Sequence, residues 1–226
     1  MSRGLRALSS AYVERRGRLS EGGVLSGAGK RAAFALFYGP LHYLLVREIL
    51  RALPAATTSL ASIVDLGCGT GAAGAAWAAD CERAPDIVGI DRHSWAVSEA
   101  GHTYRAFGLR ARTQQGDVVL APFPKPPCGL VAAFIVNELA DASRDRVLHR
   151  LLVRAKAGDR VLVVEPIAGS VAPWWRRWRG AFVAAGARDD EWRIRVDLPP
   201  IVTKLDRAAG LHHRELTARS LWLPGV

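Results

Sequence analysis

Ile63-Val64-Asp65-Leu66-Gly67-Cys68-Gly69-Thr70-Gly71 is the stretch on which the fold of this chain turns. The run Ser62, Ile63 and Val64 suits a central parallel strand covered on both faces. It ends in an acid and passes into three glycines at alternate positions, where the backbone can bend sharply and approach a ligand without Cβ interference. A second strand, Ile87-Val88-Gly89-Ile90, closes on Asp91, 20 residues past Gly71. A carboxylate there can accept hydrogen bonds from both hydroxyls of a ribose. Strand, glycine turn, strand and acid together point to a nucleoside-containing cofactor.

Outward from this core, strand-like and helix-like segments alternate, which argues for α/β architecture with a largely parallel sheet. Helices are expected over Gly71 to Asp80, Ser94 to Phe107 and Ala142 to Ala155. The first is rich in alanine, which favours helix and packs close to a sheet. A short third strand is expected from Leu109 to Thr113, a fourth from Leu130 to Val136 and a fifth from Arg160 to Pro166. The ending is coarser: a strand near Trp192 to Val196, a helix near Val202 to Ala209 and a strand from Glu215 to Leu223. Before the core, Lys30 to Leu53 is expected to form one or two helices around a Gly39-Pro40 break. Phe34, Phe37, Leu41 and Leu45 supply the apolar face, and Tyr38, His42 and Tyr43 are candidate pocket residues beside the packing role open to each.

Two templates fit the glycine turn. Gly67, Gly69 and Ala72 satisfy the G-x-G-x-x-G/A pattern of dinucleotide sites, in which a pyrophosphate sits on the helix N-terminus. Asp65-x-Gly67-x-Gly69-x-Gly71 resembles the first motif of the class I S-adenosylmethionine-dependent methyltransferases, including the acid two residues before the first glycine. That acid separates the two, because a carboxylate repels a pyrophosphate and attracts a sulfonium or an ammonium. The resemblance continues through Gly116-Asp117 and through Asn137-Glu138 at the end of the fourth strand, and it covers residues 60 to 170.

This resemblance implies a Rossmann-like, doubly wound α/β fold: a mostly parallel seven-stranded sheet with an antiparallel edge strand, preceded by N-terminal helices. It divides the chain into a basic N-terminal segment and helical lid, residues 1–58, and a methyltransferase domain, residues 59–226. It implies S-adenosylmethionine as cofactor. Asp65 with Gly67, Cys68, Gly69, Thr70 and Gly71 would hold the methionine end, Asp91 and its neighbour Arg92 the ribose, and Asp117 with Val118 the adenine edge. Asn137 and Glu138 are the candidates for the reacting end, as an amide carbonyl that orients an acceptor amine and a carboxylate base. The bland readings beside them are a helix cap for Asn137 and a surface ion pair for Glu138. Asn137-Glu138-Leu139 is not the Asn/Asp-Pro-Pro-aromatic signature of exocyclic adenine-amine methylation, and Cys128 precedes the fourth strand, a poor position for a cytosine-methylating nucleophile.

Half of the 226 residues are hydrophobic, enough for a core without staples. Cys68, Cys81 and Cys128 have no metal-type spacing, so no metal is expected, and an odd count suits free thiols in a reducing compartment. No apolar run reaches the roughly 18 residues of a membrane span, and the first residues lack the apolar centre of a signal peptide, so a cytoplasmic protein is expected. Arg3, Arg6, Arg15, Arg16 and Arg18 with nearby serines resemble a transit peptide, against which Glu14 and Glu21 count.

The net charge of +10 is unevenly spread: Lys/Arg against Asp/Glu run 9 to 3 over residues 1–60, 12 to 12 over 61–170 and 10 to 6 over 171–226. A basic flank makes RNA a candidate substrate or partner, although 27 arginines against four lysines also fit a coding bias. Trp174-Trp175-Arg176-Arg177-Trp178-Arg179 presents the same choice, between stacking on bases and an amphipathic helix whose Trp174 and Trp178 pack on the sheet. Val136-Asn137-Glu138-Leu139, Val164-Glu165-Pro166 and the helical lead-in also resemble the methyltransferase-like family of ribosomal small-subunit assembly, whose members often carry extra cysteines for an iron–sulfur cluster. That likeness implies a ribosomal subunit as partner and an RNA-binding assembly factor with little or no turnover. Three functions therefore stand: a methyltransferase acting on RNA or a protein bound to it, one acting on a small metabolite, and a non-catalytic assembly module.

Overall fold

The computed structural model describes residues 27–54, 56–167 and 173–225; the early arginines of the sequence lie outside them. Seven strands form one sheet: β1 Ser62–Leu66, β2 Asp86–Asp91, β3 Ala111–Gln115, β4 Gly129–Ala133, β5 Arg160–Glu165, β6 Arg188–Ile194 and β7 Leu216–Leu223. Their order is β3-β2-β1-β4-β5-β7-β6. The first five run parallel, and β7 pairs antiparallel with both β5 and β6, so the antiparallel pairings are confined to one edge. This is the Rossmann-like sheet expected from the motif.

The helices are α1 Ala28–Ala33, α2 Gly39–Ala52, α3 Ala72–Asp80, α4 Ser94–Ala106, α5 Asp141–Lys156, α6 Trp175–Ala184 and α7 Pro200–Ala209. Alternation along β1 sends Ile63 to one face and Val64 and Leu66 to the other. On the first face pack the N-terminal helices, α3 and α7, with Phe37, Ile49, Trp77 and Trp222 in the centre; on the second pack α5 and α6, with Leu151, Trp178 and Phe182. Both faces are therefore covered, as the apolar central strands require.

Between α1 and α2 the chain does not break at Gly39-Pro40. Phe34–Tyr38 form a π-helical turn in which the Gly39 amide reaches back to the Phe34 carbonyl. Pro40, which has no N–H to give, then falls in the first turn of α2, where none is needed. The widened turn carries α2 onto the glycine loop: a Cβ on Gly39 would stand 2.8 Å from Thr70 Oγ1. A side chain at position 39 would push the lid off the loop.

The expected Trp/Arg segment is a packed helix. Trp175, Trp178 and Phe182 are buried and Trp174, partly buried, packs against the same cluster, while Arg177 pairs with Asp145 and Arg179 with Asp189. No described helix is long and apolar enough to cross a membrane.

Candidate active site

The strand order reverses between β1 and β4, and open α/β sheets bind ligands at the carboxyl ends of strands beside such a switch. Here those ends carry Asp65, Asp91, Phe134 and Glu165. Gly67, Gly69 and Gly71 all have positive φ, from 52° to 78°, and the amides of Gly67 and Cys68 both reach the Ile90 carbonyl at 2.8 and 3.0 Å. The turn is thus pinned to the end of β2.

Asp65 is almost fully buried. Its Oδ2 accepts from the Gly74 amide in the first turns of α3 and from the Tyr104 hydroxyl of α4, each at 2.8 Å. Burial raises its carboxyl to about 6, against the pull of those two bonds. Expected to hold a ligand's methionine end, Asp65 lines the cavity and has this oxygen committed to ordering α3 and α4; its Oδ1 and its negative charge remain for a ligand.

Asp91 accepts from the Gly69 amide at Oδ2, 3.0 Å, and from the His93 amide at Oδ1, 2.8 Å. An ionised carboxylate has about four lone-pair sites, so each oxygen can take one further hydroxyl. Asp117 accepts from the Val119 amide at 2.8 Å, and Val118 is buried beneath it.

Two adjoining cavities follow this line. One is walled by Gly116, Asp117, Val118 and Leu139, the other by Asp65, Gly69, Thr70, Phe34, His42 and Phe134. Gly67, Asp91, Arg92, Ile135 and Glu138 line both and so stand where the two cavities adjoin. The residues expected at the adenine, ribose and methionine ends thus line two adjoining cavities, which together form the cleft. Cys68 and Thr70 are buried in the turn, and Gly71, beneath Tyr104, stands behind Thr70 rather than in the wall.

The two residues expected at the reacting end part company. Glu138 faces both cavities, 3.7 Å from the guanidinium of Arg92. Burial raises it to about 7, Arg92 lowering it and the charge of Asp91 raising it. Asn137 lines neither cavity. Its Nδ2 donates to Glu165 Oε2 at 2.5 Å and its Oδ1 accepts from Trp174 Nε1 at 2.9 Å, so both ends of the amide are occupied in holding the loop. Glu165 also takes the amides of Val136 and Asn137, at 2.8 and 3.4 Å.

Glu165, Phe34, Phe134 and Tyr104 also stand at the site, beyond the residues expected from the sequence. An acid closing the otherwise apolar β5 was the available signal for Glu165; the two phenylalanines look like core residues in any one-dimensional reading. β4 was expected to run to Val136 and stops at Ala133, because Phe134 takes a left-handed φ of 61° and Val136–Glu138 turn as a 3₁₀ helix under the grip of Glu165.

The charges of the cleft suit one cofactor better than the other. Among the described residues, Asp65, Asp91, Asp117 and Glu138 line the cleft with a single arginine, Arg92, an arrangement that attracts a cation bearing a ribose and repels a pyrophosphate. Residues 63–158 match a family model described as a methyltransferase domain. These residues form a class I methyltransferase core. S-adenosylmethionine is the methyl donor of that class, and the residues of the cleft fit it.

Among solved structures, the chain is similar to the N-methyltransferase NodS from Bradyrhizobium japonicum, solved with S-adenosyl-L-homocysteine, at 12% identity and TM-score 0.56, over 81% of this chain and 88% of that one. It is similar to an S-adenosylmethionine-dependent methyltransferase from Aquifex aeolicus at 13% identity and TM-score 0.53, over 92% and 98%. It is also similar to the [4+2]-cyclase SpnF at 20% identity and TM-score 0.54, over 83% and 82%. At such identities the likeness is one of fold, and a cyclase among the neighbours shows that the fold alone does not set the reaction. A comparison with curated protein sequences returned no match.

Asp91→Ala should weaken S-adenosylmethionine binding by about 1.5–3 kcal/mol, roughly ten- to hundredfold, the usual worth of hydrogen bonds to a charged acceptor. Isothermal titration checks this, and an unchanged Kd would remove Asp91 from the ribose position.

Proposed function

We propose that the methyltransferase moves a methyl group from S-adenosylmethionine to an acceptor whose O–H or N–H proton is taken by Glu138. The place of Glu138 carries this reading: it is a carboxylate in the wall shared by the two cavities, between the ribose acid Asp91 and the aromatic end. Bound in the cleft, S-adenosylmethionine supplies a methyl group on a positively charged sulfur that keeps the carbon–sulfur electron pair as methyl departs. The chain's own residues then have three tasks. Asp91, Asp117 and the glycine turn fix the donor's position, since orientation supplies much of the acceleration for an already activated methyl. The N-terminal helices narrow the access of water to the reaction end. Glu138 takes the acceptor's proton on a carboxylate oxygen and so frees the lone pair that attacks. With its carboxyl raised to about 7 it is both ionised near neutral pH and basic enough to accept.

Purified protein incubated with methyl-labelled S-adenosylmethionine and a cell extract split into small-molecule and RNA fractions tests this. Label should enter one fraction, at a rate that rises as pH increases through about 7. Glu138→Gln should cut that rate by about 10²- to 10³-fold. Full turnover by the variant would remove Glu138 as base.

An RNA acceptor is favoured by the net charge of +10, carried outside residues 61–170. Weighing against an RNA clamp, Arg177 and Arg179 of α6 are already paired with aspartates. Label in the RNA fraction, together with binding that weakens steeply with salt, would select this reading. Absence of label from both fractions by protein that binds the cofactor would select the non-catalytic ribosome-assembly role.

A further inference from the structure

The end of the cleft remote from Asp117 and Val118 is built differently from the rest. Phe34, His42 and Phe134 line that end alone, next to the turn residues Gly69 and Thr70 and within the same cavity as Glu138. Asp65, Gly69 and Thr70, expected at the methionine end, line the same cavity, so these three rings face that end and whatever adjoins it.

Phe134 adopts φ 61°, a conformation that costs a non-glycine residue about 1–3 kcal/mol and persists only where its surroundings enforce it. In this conformation its amide still reaches the Val164 carbonyl at 2.8 Å, and its ring stacks on His42 at 4.0 Å and 19°. Phe34 meets the same imidazole edge-on at 6.3 Å. The partly buried His42 touches Phe34, Tyr38 and Phe134 through its ring and makes no hydrogen bond among the described residues. Burial lowers it to about 4, so at neutral pH it is an uncharged imidazole with one N–H donor and one nitrogen acceptor unspent. Such a wall combines aromatic quadrupoles, which favour a flat π-system over an aliphatic one, with a neutral donor–acceptor pair able to bind a polar ring substituent.

We propose that Phe34, His42 and Phe134 form the acceptor subsite, and that it takes a planar aromatic or heteroaromatic ring bearing the hydroxyl or N–H to be methylated. This rests on the methyl-transfer reading above and names its substrate class. Two sources offer that chemistry, a free small molecule and a base turned out of an RNA strand.

The test is a titration of the full chain saturated with S-adenosylhomocysteine, using hydroxyquinoline, naphthol and the saturated analogue decahydronaphthol as probes. The two flat probes should bind about tenfold more tightly than the saturated one. His42→Leu and Phe134→Leu, which keep apolar bulk and remove the rings, should each weaken the flat probes by about tenfold, with S-adenosylhomocysteine affinity changed by less than about twofold. Equal binding of flat and saturated probes, no binding of either, or variants that bind the flat probes as wild type does would overturn the subsite. A single-stranded RNA oligonucleotide that displaces hydroxyquinoline identifies the source as a base, and one that leaves it bound identifies a free molecule. Failure to bind S-adenosylhomocysteine in the first place would instead overturn the methyl-transfer reading on which the subsite depends.

Discussion

Gly67→Ala should lower the stability of this methyltransferase by about 2–4 kcal/mol, the sum of a left-handed residue gaining a Cβ and of overpacking in a closed space. Gly67 has φ 66°, and a Cβ there would stand 2.4 Å from Ile135 Cγ1 and 2.7 Å from its Cδ1. The backbone is held on both sides, so relief would have to come from the Ile135 side chain turning into the cavities it lines. Gly67 is tied through its amide to Ile90, and Ile135 lies between the left-handed Phe134 and the amides held by Glu165. For a chain of this length the loss corresponds to a fall in melting temperature of about 5–15 °C. Because Gly67 and Ile135 line both halves of the cleft, cofactor affinity should fall as well. Ile135→Ala in the same chain separates the causes: it removes the Cγ1 and Cδ1 clashes and leaves the 2.8 Å approach of the Ile135 Cβ and the backbone strain, so the double variant should recover part of the loss. A melting temperature for Gly67→Ala equal to wild type would show that the turn is looser than these contacts allow.

The elements that could be read from one dimension are those whose reason is local. β1, the glycine turn and β2 announce themselves because apolar runs, three glycines and a terminal acid each have a short-range physical meaning. α4 and α5 fell within a residue or so of their expected ends for the same reason. Edge strands were harder. β3 was expected at Leu109 to Thr113 and forms at Ala111–Gln115, because an edge strand carries polar residues and the apolar signal of Leu109 belongs to the turn before it. β6 begins four residues earlier than expected, at Arg188, since its charged start Arg188-Asp189-Asp190-Glu191 hides a strand that β7 alone pairs.

The cofactor half of the candidate site was legible as a list of positions, because its residues follow one another along strand ends. Of the reacting half, Glu138 and His42 could be named as positions and Phe134 could not. His42 comes from α2, while Phe134 and Glu138 share the turn after β4, which is held by a contact between residues 29 apart, the capture of the Val136 amide by Glu165. Asn137 illustrates the difference: its place after β4 marked it for chemistry, while its partners Glu165 and Trp174 give it a share in holding the loop.

Glu165→Ala is the variant that tests this arrangement. The carboxylate accepts from two backbone amides and one side-chain amide, and it lies opposite Arg219 across the β5–β7 ladder. Arg219 is itself buried, stacked 4.2 Å over Trp175, with Nε and one terminal nitrogen unpartnered. Truncation would leave buried donors without acceptors and, above about pH 8, a buried cation without its nearest compensating charge, costing about 3–5 kcal/mol. The 3₁₀ turn would also lose its anchor, so Glu138 would move and turnover should fall more steeply than cofactor affinity.

A pH measurement separates the role of the charge from that of the shape. Burial raises Glu165 to about 8, against the Val136 and Asn137 backbone amides and Arg219, the charge of Glu138 adding to the rise. A carboxyl whose folded value lies above its unfolded one binds the proton more tightly when folded, so its stabilising contribution is complete at acid pH and is lost as pH rises from the ordinary range of about 4.5 through 8. Asp65, raised to about 6, and Glu138, raised to about 7, act in the same direction. Wild-type melting temperature should therefore fall between about pH 5 and pH 8. Glu165→Gln, which keeps one carbonyl for the Val136 amide but turns an N–H toward Asn137, should be less stable than wild type at acid pH and show a shallower decline. A wild-type melting temperature that rises across this window would mean that Glu165 is ionised throughout, with Arg219 and the amides outweighing its burial.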